Sequence, residues 1–359
     1  MNQPQRTRPA PRMRTIAALA LLAGLIPLAY VSPAERSLLA RFRALNADAS
    51  PAPDMARHPN LRYADLPGID PNLLSLDIYA PSAAIKCPVL VMIHGGGWRL
   101  GDKANRAVAD LKSRHFVGQG YVFVSINYRL SPAVKHPTHV QDVARAIAWV
   151  HGNIARYGGD PARISVMGHS AGAHLAALVA TDESYLDAEG KSLRILSGVI
   201  LLDGAGYDLA RHINDLGGGR GMRWLYEGAF GSDEAAWRDA SPVTHIAPDK
   251  GIPPFLVFHA GARITSATLS REFAEALAKA GIAARTVHAA DKSHRTINAD
   301  IGKPGDWVTL TIMGFLAGES PDKPRPGEAS ASARRLRLVI SGAFVITCRT
   351  VGESGARCR

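Results

Sequence analysis

The chain should fold as an α/β protein, with a mostly parallel, twisted sheet of about eight strands and helices on both faces. Three observations predict this. Short apolar runs rich in β-branched residues alternate with segments of helical period, the pattern of strands joined by crossover helices. A serine between glycines, Gly168-His169-Ser170-Ala171-Gly172, falls where one strand turns into a helix. A run of three glycines, His94-Gly95-Gly96-Gly97-Trp98, ends another strand.

In chain order, residues 62–79 should hold the first strands. Leu74-Ser75-Leu76-Asp77-Ile78-Tyr79 alternates apolar and polar, as a half-exposed strand does. Pro88 to Ile93 is a continuous apolar run and reads as a buried strand. Residues 105–119 read as a helix, and Tyr121 to Ile126 as the next buried strand. Val140, Val143, Ala144, Ile147 and Val150 form a helical stripe between residues 140 and 154. Arg163 to Met167 is a strand that leads into the serine pentapeptide, and Ala173 to Ala180 is rich in helix formers. Gly198 to Leu202 and Pro254 to Phe258 supply two more strands. Residues 209–240 between them read as irregular, with Gly217-Gly218-Gly219 and several aromatics. Arg285 to His288 and residues 304–316 are the last strand and the last helix.

The charge belongs to the ends. The 359 residues carry a net +11, but residues 1–50 hold seven arginines against two acids, and residues 318–359 hold eight Lys or Arg against four acids. The interior is therefore close to neutral, which argues against a nucleic-acid partner. Arg6, Arg8, Arg12 and Arg14 precede an apolar stretch from Ile16 to Tyr30. That order predicts a signal peptide or membrane anchor over residues 1–34 and an exported protein, periplasmic or secreted, with attachment to the membrane if the segment is not cleaved. Residues 35–60, including Ser50-Pro51-Ala52-Pro53, read as a linker and 61–318 as the catalytic domain. Residues 319–359 should form a disordered basic tail. Cys87, Cys348 and Cys358 do not suggest a disulfide framework. No HExxH or CxxC pattern occurs, so no metal site and no cofactor are expected.

The two glycine-bearing motifs point to acyl transfer. A serine on a sharp strand-to-helix turn has its hydroxyl pushed outward, and glycines two residues either side let the chain pass; this is the nucleophile elbow. Glycines at the end of a neighbouring strand leave bare N–H groups for the negative charge that develops on a carbonyl oxygen in the transition state.

With these motifs in view, the chain resembles the α/β-hydrolase esterases and lipases with an HGGGW loop, on the branch of kynurenine formamidases and small acyl-ester hydrolases. HGGGW (94–98), NYRLSP (127–132), the segment 142–182 and KSHRTIN (292–298) carry the resemblance, which covers residues 61–317. It implies an α/β-hydrolase fold with a small cap region over residues 209–240. It also implies Ser170 as nucleophile, His294 as base, and the N–H groups of Gly96, Gly97 and Ala171 as oxyanion donors. His94 and His169 are expected to shape loops, and His259 is a weaker choice of base. The acid is open. The family usually places it in the loop after the strand ending at Phe258, but residues 259–266 contain no carboxylate. Asp203, at the end of the preceding strand, is the first substitute; Asp291 is the second, and a site with no acid is the third. The implied activity is hydrolysis of a small-molecule carboxylic ester, with short acyl chains preferred. An aryl-formamidase or amidase, or a non-catalytic binding protein of the same fold, are the alternatives.

Overall fold

A computed structural model describes residues 54–216 and 219–318. Eight strands form one sheet: β1 (Met55–Arg62), β2 (Ser75–Pro81), β3 (Cys87–Ile93), β4 (Val122–Ile126), β5 (Gly159–His169), β6 (Leu196–Leu202), β7 (Phe255–Ala260) and β8 (Ala284–Ala289). Their order across the sheet is β1-β2-β4-β3-β5-β6-β7-β8. β1 and β2 pair antiparallel, as do β2 and β4; every pairing from β4 onward is parallel.

The side chains of the central strands divide with period two. Val89, Val91, Ile93, Val166, Val199, Leu201 and Val257 enter one core, whereas Leu90, Met92, Met167, Ile200, Leu202, Leu256 and Phe258 enter the other. Both faces are therefore apolar, and each must be covered. Helices α2 (Thr138–Asn153), α3 (Ala171–Thr181) and α8 (Ile264–Lys279) bury residues in the first core. Helices α1 (Arg106–Gly118) and α10 (Trp307–Leu316) close the second through Phe116, Val117, Val308 and Ile312. Each such side chain contributes about 1.5–3 kcal/mol on full burial. Helix α3 is buried at every position, which suits its place directly behind the serine turn.

Two expectations are corrected. The ordered domain begins before residue 61: β1 starts at Met55, inside the expected linker. It is an edge strand with no fully buried position, so its residues carry no apolar alternation. Its pairing with β2 shifts register between His58 and Leu61, around Pro59, which has no N–H to donate. The described residues between 209 and 240 are mostly helical rather than irregular, with α5 (Leu209–Asn214), α6 (Gly219–Phe230) and α7 (Glu234–Asp239). Asp208 and Asp233 cap α5 and α7 by accepting from the N–H groups of Arg211 and Ala235. A glycine run at Gly217-Gly218-Gly219 lies between the two caps and makes the segment read as irregular in the sequence. The expected signal segment, most of the linker, Gly217–Gly218 and the expected tail lie outside the described residues.

Candidate active site

Parallel strands end at one edge of the sheet, and the groups singled out from the sequence gather there. Ser170 follows β5, the glycine loop follows β3, Asp203 follows β6, and His294 lies between β8 and the short helix α9 (Thr296–Ala299).

Ser170 occupies a turn that its neighbours force. Its φ is +55° and ψ −118°, left-handed space that a residue with a Cβ rarely enters. A Cβ at Gly168 would come within 2.1 Å of the Gly172 carbonyl oxygen, and one at Gly172 within 2.2 Å of the Ile93 carbonyl oxygen. Neither position can hold another residue without moving backbone. The Ser170 N–H donates to the Leu202 carbonyl at 3.0 Å, and the Asp203 N–H to the Phe258 carbonyl at 2.9 Å. The ends of β5, β6 and β7 are thus tied together, which sets Ser170 and Asp203 on the two sides of His294.

The hydrogen bonds run in series. Asp203 Oδ2 accepts from His294 Nδ1 at 2.6 Å, and His294 Nε2 lies 3.0 Å from Ser170 Oγ. A carboxylate can only accept, so Nδ1 carries the ring proton of the neutral imidazole. Nε2 is then left bare to accept from the serine hydroxyl. The Asp203 side chain is fully buried. Its Oδ1 accepts from Ser266 Oγ at 2.6 Å and from the Ala260 N–H at 3.0 Å, and Oδ2 also accepts from Arg263 Nη1 at 2.6 Å. Burial by itself would push this carboxyl up. The donors from His294, Ser266 and Ala260, together with the Arg263 charge, outweigh it and hold the group at about 2.

The glycine loop lies beside the serine. The N–H groups of Gly96 and Gly97 donate to no carbonyl among the described residues, and Ala171 is the first residue of α3, where N–H groups have no partner within the helix. Tyr128 braces the loop, donating its hydroxyl to the His94 carbonyl at 3.0 Å and stacking on the His94 ring at 4.5 Å. The cap leans on the same loop. Trp98 packs against Tyr226 and Phe230, the Arg99 guanidinium sits 4.4 Å over the Trp224 ring, and Leu225 covers Gly97.

The remaining candidates fall elsewhere. Asp291 accepts from the Trp307 indole N–H at 3.1 Å. His259 stacks on His288, with ring centroids 4.6 Å apart. His94 Nδ1 is bonded to the Gly95 carbonyl at 2.9 Å. His169 donates from Nε2 to the His294 carbonyl at 2.8 Å, which steadies the loop that carries His294. Burial first, then the adjacent His294, pushes His169 down to about 3. Arg263 and Ser266, which fix Asp203, escaped the sequence reading. The only trace of them is that the loop expected to supply an acid contains an arginine and a serine.

Comparisons with known proteins bear on the family and the fold. The BD-FAE family matches residues 76–277, more than half of the chain, a span that includes Ser170 and Asp203. Esterase LipQ of Mycobacterium tuberculosis is 34% identical over 243 residues, covering 64% of this chain and 55% of LipQ. The isoprenylcysteine alpha-carbonyl methylesterase ICME of Arabidopsis thaliana is 30% identical, covering 61% of this chain and 53% of that protein. The chain spans about half the length of the curated relatives it matches. Among solved structures, the esterase Est2 of Thermogutta terrifontis superposes with a TM-score of 0.56 at 26% identity, over 77% of this chain and 96% of its own. A truncated carbohydrate esterase from gut microbiota reaches a TM-score of 0.63 at 21% identity, over 76% of this chain and 98% of its own, and so shares the fold. With its eight-stranded sheet and its serine elbow inside the matched span, the chain is an α/β-hydrolase that belongs to the BD-FAE family.

Proposed function

We propose that the protein is a serine esterase that cleaves carboxylic esters through an acyl-enzyme. The observation that carries this reading is the unbroken series Asp203–His294–Ser170, at 2.6 and 3.0 Å. A serine hydroxyl is a weak nucleophile until a base takes its proton. In this mechanism His294 Nε2 takes that proton as Oγ attacks the ester carbonyl. Asp203 holds the imidazole in the tautomer that makes this geometry productive and stabilises the imidazolium that forms. The N–H groups of Gly96, Gly97 and Ala171 receive the oxyanion. The imidazolium then protonates the departing alcohol, and water, activated by the same ring, releases the acid. The names of LipQ and ICME, both esterases, support the choice of ester over amide. The purified protein should hydrolyse p-nitrophenyl butyrate, and a fluorophosphonate should label Ser170. Labelling that is absent, or equal in Ser170→Ala, would sink the proposal.

The acyl group should be short. Behind the glycine loop, Trp98 is buried against Tyr226, Phe230 and His174, with ring centroids 4.9–5.4 Å apart. Aromatic packing there fills space that a long chain would need. Butyryl esters should therefore turn over faster than palmitoyl esters when both are presented as monomers, and the reverse order would refute this. Faster cleavage of N-formylkynurenine than of either ester would move the assignment to a formamidase.

A further inference from the structure

The loop after β7 is where the resemblance places an acid, and in this chain it supplies a cation. Arg263 stands just before α8 and donates from Nη1 to Asp203 Oδ2 at 2.6 Å. His294 donates to that same oxygen at 2.6 Å. The other oxygen is taken by Ser266 and the Ala260 N–H. Asp203 thus has two partners that place charge on one atom, a permanent guanidinium and an imidazole that becomes cationic only during turnover.

We propose that Arg263 is a positioning residue that sets the pH at which His294 begins to act as a base. The inference rests on the serine-esterase reading of the site. When His294 is neutral, the fully buried carboxylate needs a counter-charge, and Arg263, two-fifths exposed, provides it. When the imidazole takes a proton, it must share Oδ2 with a cation already bound there. A like charge disfavours the charged form of its neighbour. Arg263 therefore opposes premature protonation of His294, and the base stays available to lower pH than the Asp203–His294 pair alone would allow.

The other groups around the ring do not duplicate this effect. Ser170 faces Nε2 and is uncharged. His169, at the end of β5, lies with its ring 4.7 Å from that of His294, and burial keeps it neutral. Lys112 of α1 lies within electrostatic range of His169 and donates to the Asn298 carbonyl at 2.6 Å. On the His294 loop, Lys292 is held by Asp300 at 3.1 Å and Asp306 at 2.6 Å; among the described residues, the charges at the Nδ1 edge are Asp203 and, through its Oδ2, Arg263.

The test is the pH dependence of kcat/KM on p-nitrophenyl butyrate for wild type, Arg263→Gln and Arg263→Lys. In Arg263→Gln the acid limb should move to higher pH by about one unit, the low end of what a close charge does to a titrating neighbour, because this cation is partly solvated. Arg263→Lys should return the limb toward its wild-type position. The rate of Ser170 labelling by a fluorophosphonate follows the same limb and reads only folded molecules, so a poorly folding glutamine variant still reports. A limb that stays in place, or moves to lower pH, in Arg263→Gln overturns the role of Arg263 while wild-type turnover keeps the esterase reading intact. A wild type that neither hydrolyses the ester nor reacts at Ser170 overturns both.

Discussion

Asp203→Asn should lower kcat about 10⁴-fold, the order of loss when the acid of a serine protease becomes an amide. The cause is tautomer control. His294 Nδ1 sits 2.6 Å from Asp203 Oδ2, and a carboxylate there can only accept. An asparagine can turn its NH₂ toward the ring instead. The imidazole then bonds through a bare Nδ1, its proton moves to Nε2, and the nitrogen facing Ser170 can no longer take a proton. Asparagine has a second reason to adopt that orientation. Its carbonyl oxygen is wanted by Ser266 and the Ala260 N–H, as Oδ1 of the aspartate is now. The NH₂ would then confront the Arg263 guanidinium, two donors with nothing between them, at a cost of about 1–3 kcal/mol in stability. Turnover per folded molecule therefore has to be measured with the melting temperature. Asp291→Asn is the control, since Asp291 meets Trp307 and not His294; it should keep kcat near that of wild type. If Asp203→Asn also keeps wild-type kcat per folded molecule, Asp203 has no part in turnover.

The legible parts of this site are those whose chemistry is local in sequence. Gly168 and Gly172 are required by atoms within five residues of Ser170 or on the adjacent β3, so a short pattern reports them. Strands buried on both faces, such as β3 and β4, read as unbroken apolar runs, and the helices between them follow by alternation. His294 is legible by its place between the last strand and the last helix. The carboxylate that meets His294 is not, because several carboxylates are compatible with the sequence. Only the pairing of β6 with β7, which brings Asp203 beside Ala260, Arg263 and Ser266, separates Asp203 from Asp291. β1 escapes notice because a strand held mainly by its backbone ladder needs no apolar pattern. The cap helices escape because their order comes from the aspartate caps and from contacts with Trp98, on a loop more than 100 residues earlier.

Stability should fall steeply in mild acid, beginning above the pH range in which carboxylates titrate. His139 and His174 are sealed in the core at 0% and 1% exposure. Nε2 of His174 donates to the Ala240 carbonyl at 2.7 Å, and its Nδ1 has no partner and faces a setting of Trp98 and Phe230. His139 has Ser131 at Nε2 and likewise nothing at Nδ1. A second ring proton would bury a charged donor without an acceptor. Burial accordingly pushes His174 down to about 3 and His139 to about 4. The sign follows from linkage. Free histidine titrates near 6.5, so as pH falls below that value the unfolded chain binds protons that the folded chain refuses. The stabilisation is complete above pH 6.5 and is lost progressively toward pH 4. His169, pushed down to about 3 beside His294, is a third such ring, and the three together give a slope of roughly 4 kcal/mol per pH unit. By about pH 4.5 the loss is roughly 8 kcal/mol, comparable to the whole stability of a marginal domain. Asp203 adds a separate phase at lower pH. Its depressed pKa contributes stability that is present above about 3.9 and disappears as pH falls toward 2. Melting temperature measured from pH 7.5 to 4.5 should therefore decline continuously. His174→Gln, which can still donate to the Ala240 carbonyl but takes up no proton, should take away about a third of the slope above pH 4.5. A wild-type melting temperature that stays level down to pH 4.5 would mean that these rings protonate in place, and that the packing around them opens to water.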